Sequence, residues 1–404
     1  MEDTTVRYAG VDWASTSHAI CVVDEVGAIV DRFAVAHRAA DLAAMCRRLG
    51  RHGVSRVAIE RPDGPVVDAL MGAGLEVVVI ASRQVKALRQ RYGSAGNKDD
   101  AFDAYVLADC LRTDGARFGA LRPDSAETLA LRGLVRARKD LVAHRVALAN
   151  QLRAHLQVVF PGAVGLFADL DSPISLRFLG RFSSATAAAW LSERRLSSWL
   201  RANAYCGRRS AGELHRRLAD APDGLDGEQG RAQGVVTESL VRLIGAVRDE
   251  IDLLQARIAE ALALHPDGAI FTSLPRSGTV RAAALLAEIG DCRERFPSAE
   301  SLACLAGAAP STRASGKHRA VTFRWAADKK LRDALIDFAG DSRHANPWAA
   351  DLYANARARG KTNPHAERIL ARSWAGVIWR CWQDRTPYDP ERHGALQRLA
   401  AMEG

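Results

Sequence analysis

Four acidic residues stand where they can hold metal ions. Asp12 ends the run Val6-Arg7-Tyr8-Ala9-Gly10-Val11-Asp12, Glu60 ends Arg56-Val57-Ala58-Ile59-Glu60, and Asp100 and Asp103 lie three apart in Lys98-Asp99-Asp100-Ala101-Phe102-Asp103-Ala104. A spacing of three on a helix sets both side chains on one face. Hard divalent cations such as Mg2+ or Mn2+ take oxygen ligands, and two ions about 4 Å apart can hold both the attacking and the leaving oxygen of a phosphoryl displacement. Each acid alone has a plainer reading. An Asp after a strand is an ordinary cap of a turn or helix, and Asp103 fits a solvated helix face. Together they say more, because acids closing two apolar strands carry charge that is costly to leave unpaired.

A second group lies near the other end. After Leu302-Ala303-Cys304-Leu305-Ala306-Gly307 the chain runs Ala308-Ala309-Pro310-Ser311-Thr312-Arg313-Ala314-Ser315-Gly316-Lys317-His318-Arg319. Ser315 precedes a glycine and sits among Arg313, Lys317 and Arg319. Such surroundings bind phosphate and stabilise developing charge, while glycine lets the backbone approach closely. By itself this is a polar loop with a turn. Upstream, Ser273-Leu274-Pro275-Arg276-Ser277-Gly278-Thr279-Val280 leads into the apolar stretch Ala282 to Ile289. Arg276 and the N–H groups that follow Gly278 suit a DNA phosphate at a helix start; a packing corner between helices explains the same turn.

The elements that must position these groups follow from periodicity. Val6 to Asp12, Ala19 to Asp24 and Ala28 to Val35 read as three strands of an antiparallel meander, with a turn at Glu25-Val26-Gly27. Ala39 to Leu49 reads as a helix, Arg56 to Glu60 as a buried strand, Pro65 to Met71 as a helix and Leu75 to Ile80 as a strand. If the first and fourth strands are neighbours, the acids converge at one end of the sheet. The order β-β-β-α-β-α-β followed by helices is that of the α/β RNase H/RuvC fold, although a fold does not fix a function.

Ser125 to about Phe160 reads as one long helix with a stripe at Leu134, Leu141, Leu148, Leu152, Leu156 and Val159, ended by Pro161-Gly162. Val235 to Leu264 reads as another, with a coiled-coil seam at Leu240, Ile244, Val247, Ile251, Leu254 and Ile258. The two stripes can satisfy each other in a hairpin within one chain or serve a dimer contact. Between them residues 164–234 are rich in Ala, Ser and Arg, show no chemistry, and include a linker at Ala221 to Gly227. From Phe271 onward the pattern is mostly short helices, with a tail from Pro387. The expected domains are thus 1–120, 121–265 and 266–404.

Composition narrows the classes. A chain of 404 residues with 48% hydrophobic and 25% charged residues is ordinary folded protein of two or three domains. Lys+Arg 56 against Asp+Glu 47 gives a net charge of +9, which favours DNA or RNA as a partner without proving it. The seven scattered cysteines include no C-x-x-C pair, which argues against zinc ribbons and a disulfide framework and fits a cytoplasmic setting. No run approaches the roughly 18 apolar residues of a membrane span, and Met1-Glu2-Asp3-Thr4-Thr5 does not start a signal peptide.

These motifs, in this order, resemble a known family: the DEDD transposases of bridge-RNA-encoding insertion sequences, the insertion-sequence-one-ten family, to which Piv-type DNA invertases are related. Gly10-Val11-Asp12 is similar to its first motif, Ala58-Ile59-Glu60 to its second and Asn97 to Ala104 to its K-T-D-x-x-D-A motif. Leu274-Pro275 with Gly278, Ala287-Glu288-Ile289-Gly290-Asp291, Arg295-Phe296, Ala306-Gly307 with Pro310, Ser315-Gly316, Leu331-Arg332 and Asp389-Pro390 with Arg392-His393 resemble its transposase domain. The resemblance implies a RuvC-like N-terminal domain with metal ligands Asp12, Glu60, Asp100 and Asp103, and Ser315 as a nucleophile that links covalently to DNA. It also implies a homo-oligomer, dimer or tetramer, in which domains of different protomers meet, and a bridge RNA that pairs with double-stranded donor and target DNA. Two departures stand out. Asp99 replaces the threonine of K-T-D and can share the third ligand position, and Arg61-Pro62-Asp63-Gly64 replaces the usual A-T-G after the second acid. Residues 164–234 look like an enlarged insertion relative to compact members.

Three other readings compete. A sugar kinase of the actin-like fold also has an Asp after its first strand, but needs a second phosphate-binding glycine turn that does not show between the long helices. A RuvC-type junction nuclease uses the four acids and leaves the serine loop idle. A nucleic-acid-binding protein without activity accounts for the charge alone.

Overall fold

The computed structural model describes residues 6–92, 99–316 and 318–403, with His318, Arg319, Met402 and Glu403 described as backbone. Lys317 and the Asn97-Lys98 part of the third motif lie outside the described residues. The chain divides into two compact units, Met1–Pro123 and Asp124–Gly404.

The first unit is a mixed five-stranded sheet covered on both faces. Its strands are β1 (Arg7–Trp13), β2 (Ser17–Val23), β3 (Ile29–Ala36), β4 (Val54–Ile59) and β5 (Glu76–Val79), in the order β3-β2-β1-β4-β5. The β1–β2 and β2–β3 pairs are antiparallel; β1–β4 and β4–β5 are parallel. Helices α1 (Ala39–Arg51) and α2 (Pro65–Gly72) cover one face, and α3 (Ser82–Tyr92) and α4 (Asp100–Asp114) the other. Strand alternation assigns the faces. Ala9, Val11, Val57 and Ile59 are buried with Leu42, Met45 and Leu70, whereas Ala58 is buried with Val85, Val106 and Leu107.

Among the described residues the second unit is helical apart from one hairpin. Helices α5 (Ala126–Val159) and α10 (Gly227–Leu264) run antiparallel, as the side-chain contacts Thr128 to His265, Arg138 to Gln255 and His155 to Thr237 show. Of the two readings of the stripes, the pairing within one chain is present. The linker expected at Ala221 to Gly227 falls at the break before α10, but the helix begins at Gly227 rather than near Val235, because Gly230 and Gly234 let the chain lie against Leu225 and Ser183, a contact that periodicity does not display.

One end of this helical pair carries α6 (Pro173–Arg181), α7 (Ala185–Ala188), α8 (Glu193–Ala202) and α9 (Ala211–Ala219), closed over Phe160, Phe178 and Phe182. The stretch 164–234 is therefore a lobe with its own aromatic core. The other end carries α11 (Gly268–Thr272), α12 (Gly278–Ile289), α13 (Ala299–Leu305), the strands β6 (Ser311–Ser315) and β7 (His318–Thr322), α14 (Lys329–Ser342), α15 (Pro347–Ala358), α16 (Asn363–Gln383) and α17 (Gly394–Glu403). Its core centres on Phe271, Phe338, Trp374 and Trp382. The expectation of short helices fails at the 21-residue α16, where Leu370, Trp374, Ile378 and Trp382 mark one buried face. Among the described residues no helix is long and apolar enough to cross a membrane.

Candidate functional site

The parallel register of β1 and β4 pairs Val11 with Ile59. Asp12 and Glu60 are the next residues of two neighbouring strands, at the same end of the sheet. By alternation Asp12 shares the face of Gly10, and Glu60 that of Ala58, the face that α4 covers. Gly10 allows α4 to lie this close: a Cβ there would stand 2.1 Å from the Ala104 carbonyl and 2.5 Å from the Ala108 nitrogen. At the other end of α4, Arg56 donates to the Gly115 and Phe118 carbonyls at 3.3 Å. Helix α4 thus runs against the direction of β1 and β4, with its first turn toward Asp12 and Glu60. Two strand residues beyond Gly10 is roughly 7 Å, or about four to five helix residues back from the 104–108 contact, which is the level of Asp100 to Asp103.

The side chains are arranged less simply than the backbone. Asp103 is 2% exposed and forms an ion pair with Arg89 of α3. Asp100 is exposed in the first turn, and Asp99 is the N-cap of α4, its carboxylate accepting from the Ala101 N–H at 3.1 Å. The extra acid of the third motif therefore has a local structural role. Among the described residues no three His, Cys, Asp or Glu side chains gather closely enough to hold a metal ion. In donor chemistry the corner suits a hard cation: carboxylates from two strand ends and one helix start, with the buried Asp103 already drawing a positive group to itself. The loop after Glu60 is pinned, since Arg61 lies 4.4 Å over the Trp13 ring and pairs with Asp63 at 3.2 Å, and Gly64, at φ +105°, precedes Pro65 of α2.

Arg89 was missed by sequence reasoning, since an arginine in a helix carries no motif. A histidine pair near this edge was also missed. His18, fully buried opposite Trp13 on β2, accepts from the Ala14 N–H at Nδ1, so Nε2 bears the proton and donates to His37 Nδ1 at 2.9 Å. Burial, and then the neighbouring His37, hold the His18 imidazole below its ordinary range.

The serine segment is not a loop, as expected, but the hairpin β6–β7. Ser311 pairs with Thr322 and Ser315 with His318, and Gly316 turns the chain at φ +54°, a conformation that glycine adopts without strain. Ser315 and Arg313 are exposed near its tip. Both faces of the ribbon meet solvent, so the apolar alternation that marks a half-buried strand is missing. Arg276, at φ +56°, donates to Asp341 at 3.0 Å while remaining 51% exposed, and Arg281 joins the same carboxylate at 2.8 Å. Gly278, at φ +54°, opens α12.

Several of the remaining motifs hold the C-terminal lobe together. Glu288, 5% exposed, accepts both Nε and Nη2 of Arg136 at 2.9 and 2.7 Å. Asp291 accepts from the Ser125 N–H at 3.0 Å, and the Gly290 carbonyl accepts from Trp382 Nε1 at 2.9 Å. His393 Nδ1 meets the Tyr388 hydroxyl at 2.9 Å.

Comparison with known proteins places this arrangement. Residues 9–161, which contain all four candidate acids, match a family model described as "Transposase", and residues 268–354, which contain the hairpin, match "Transposase IS116/IS110/IS902 family". The class is therefore a DNA transposase, an enzyme that breaks and rejoins DNA. The chain is 31% identical to the Streptomyces coelicolor mini-circle protein named as a transposase for IS117, over 97% of each chain. It is 30% identical to a 43.6 kDa protein of insertion element IS110 from the same organism, over 81% of each, and 27% identical to a 42 kDa protein of insertion element IS900 of Mycobacterium paratuberculosis, over 95% of this chain and 97% of that one. This chain belongs to the IS110 family of transposases.

Proposed function

We propose that the protein cuts and exchanges DNA strands with two cooperating groups: a RuvC-like carboxylate edge formed by Asp12, Glu60, Asp100 and Asp103, and the nucleophilic hydroxyl of Ser315. The observation that carries this reading is the pairing of Val11 with Ile59 beneath an α4 that Gly10 admits, since it brings the strand ends before Asp12 and Glu60 side by side with the first turn of α4 running toward them. Mg2+ or Mn2+ bound by those acids would supply Lewis-acid polarisation of a phosphodiester and compensate its charge.

The chain's own part is the exchange. Ser315 Oγ forms a bond to phosphorus as the phosphorus–oxygen bond to one deoxyribose breaks, and the serine proton passes to the departing oxygen. The phosphoserine ester keeps the bond energy, so a hydroxyl of another strand displaces Ser315 without an external energy source. Arg313, with Lys317 and Arg319, supplies cationic surroundings for the phosphate. In this reading residues 1–120 provide the carboxylates, 121–265 the spacing helices and 266–404 the nucleophile. The acids and the serine meet within a homo-oligomer, dimer or tetramer, acting on double-stranded donor and target DNA at the nucleoid of a bacterial or archaeal cytoplasm. A bridge RNA supplies sequence choice, a reading that rests on the family resemblance and is tested by sequencing RNA that co-purifies with the protein.

Strand exchange on a plasmid carrying the element's ends tests the core of the reading. Ser315→Ala is expected to abolish covalent attachment and exchange with fold and RNA binding intact, and Asp12→Ala to abolish cleavage with DNA binding retained. Exchange at the native rate in Ser315→Ala, with cleavage still dependent on the acids, points instead to a RuvC-like nuclease without serine chemistry.

A further inference from the structure

Beside the root of the β6–β7 hairpin the chain builds a cationic and aromatic seat. The Phe323 ring is flanked by two guanidinium groups, Arg332 at 4.6 Å and Arg368 at 4.9 Å from its centroid. Trp325 meets the same ring edge-on at 4.8 Å and is itself 79% exposed. Arg324 is fixed by the Ala309 and Pro310 carbonyls, each at 3.1 Å, and Arg332 by the Arg324 carbonyl at 2.7 Å. These residues adjoin a cleft of about 680 Å³ whose lining includes Pro310, Phe323, Arg324, His365, Arg368 and Arg372.

Two features call for a ligand. Arg324, Arg332 and Arg368 form no ion pair with a carboxylate among the described residues, and Arg332 Nε is buried without a hydrogen-bond partner. Cations crowded round one ring without a counter-charge repel one another, and burial together with Arg332 pushes the Arg368 guanidinium down from its ordinary range. An anion in the cleft, within reach of Arg324 and Arg368, offsets the repulsion. The large exposed indole beside them offers a flat face, which a phosphate alone does not need and an unstacked base does.

We propose that Trp325, Phe323, Arg324 and Arg368 form a seat for one nucleotide of a single DNA strand, the indole stacking on its base and the arginines holding its phosphate. The register gives the seat a purpose. It adjoins Thr322, four residues along β7 from the His318 that faces Ser315. That is roughly 13 Å, a span of only a few nucleotides, so the seat grips the strand near the phosphate that Ser315 attacks. This inference rests on the reading that the hairpin works on DNA.

The test uses the full chain and a fluorescein-labelled oligothymidylate of about 16 nucleotides, followed by anisotropy across a range of salt. Trp325→Ala is expected to weaken binding by about 5- to 150-fold, and Trp325→Phe to recover most of it. Arg368→Gln should lower the salt slope by about 0.7, the value of one single-strand phosphate contact. Trp190→Ala, a partly exposed indole of the other lobe, is the control and should change nothing. Binding by Trp325→Ala equal to that of the control overturns the seat; a loss confined to oligouridylate overturns its assignment to DNA. Strand exchange in Ser315→Ala is scored separately. Exchange lost there with Trp325→Ala binding unchanged keeps the functional reading and removes the seat, whereas exchange retained there removes the functional reading and leaves the seat to the binding result.

Discussion

Replacing Gly10 with alanine should damage the carboxylate edge without touching an acid. The added Cβ would lie 2.1 Å from the Ala104 carbonyl oxygen, 2.5 Å from the Ala108 nitrogen and 2.8 Å from Leu107 Cβ. All three atoms belong to α4 and two are backbone, so no side chain can rotate away and the helix must retreat. Restoring ordinary contact of about 3.4 Å needs a movement on the order of 1 Å, which loosens the packing of Ala104, Leu107 and Ala108 on the sheet. Overpacking of this kind costs about 1–3 kcal/mol, a fall in melting temperature on the order of 3–18 °C for a unit of this size. The same movement carries Asp100 and Asp103 away from Asp12 and Glu60, and a misplacement of about 1 Å costs on the order of 100-fold in rate. Gly50→Ala is the matched control, because a Cβ there meets nothing within 4 Å on α1. The assay is cleavage of a labelled element end, with thermal unfolding followed by circular dichroism. Gly10→Ala cleaving and melting like Gly50→Ala would refute the placement of α4 over β1, and the site with it.

Other expectations follow from the same physics. Arg136→Met removes the bidentate partner of the buried Glu288 and should cost about 3–5 kcal/mol, read as a lower denaturant midpoint, whereas Arg257→Met, in an exposed pair with Glu260, should cost at most about 1 kcal/mol. His18 is held below the ordinary imidazole value of about 6.5, so the unfolded chain takes up its proton first as pH falls; this contribution to stability is complete above that value and is lost below it, and His18→Gln should flatten the fall in melting temperature between about pH 7 and pH 5. DNA binding should weaken steeply with added salt, because phosphate contacts release counterions, and a flat response would exclude an extensive backbone interface.

What the sequence displays depends on where each side chain ends up. The strands β1, β2, β4 and β5 and helices α1 and α2 were legible because each buries a periodic face, and Asp12 and Glu60 because each closes a buried apolar strand. Arg89 was not, since its role depends on how α3 meets α4, and neither helix encodes that in its own pattern. The hairpin β6–β7 was hidden by exposure: Ser311-Thr312-Arg313-Ala314-Ser315 has no apolar face to show. The lobe at 164–234 was hidden by composition, since Phe167, Phe178, Phe182 and Trp199 are spread across short helices and meet through tertiary packing. Periodicity understated α10 for a similar reason, as its first turns use glycines for close approach instead of an apolar stripe.

The most direct measurement is mass spectrometry of the protein after reaction with a nicked DNA substrate that traps a covalent intermediate. A nucleotide adduct on the peptide containing Ser315, formed with Mg2+ and lost on chelation or in Asp12→Asn, is the predicted result. Strand cleavage that leaves no adduct on Ser315, or an adduct formed equally well without divalent metal, would contradict the joint action of the carboxylate edge and the serine.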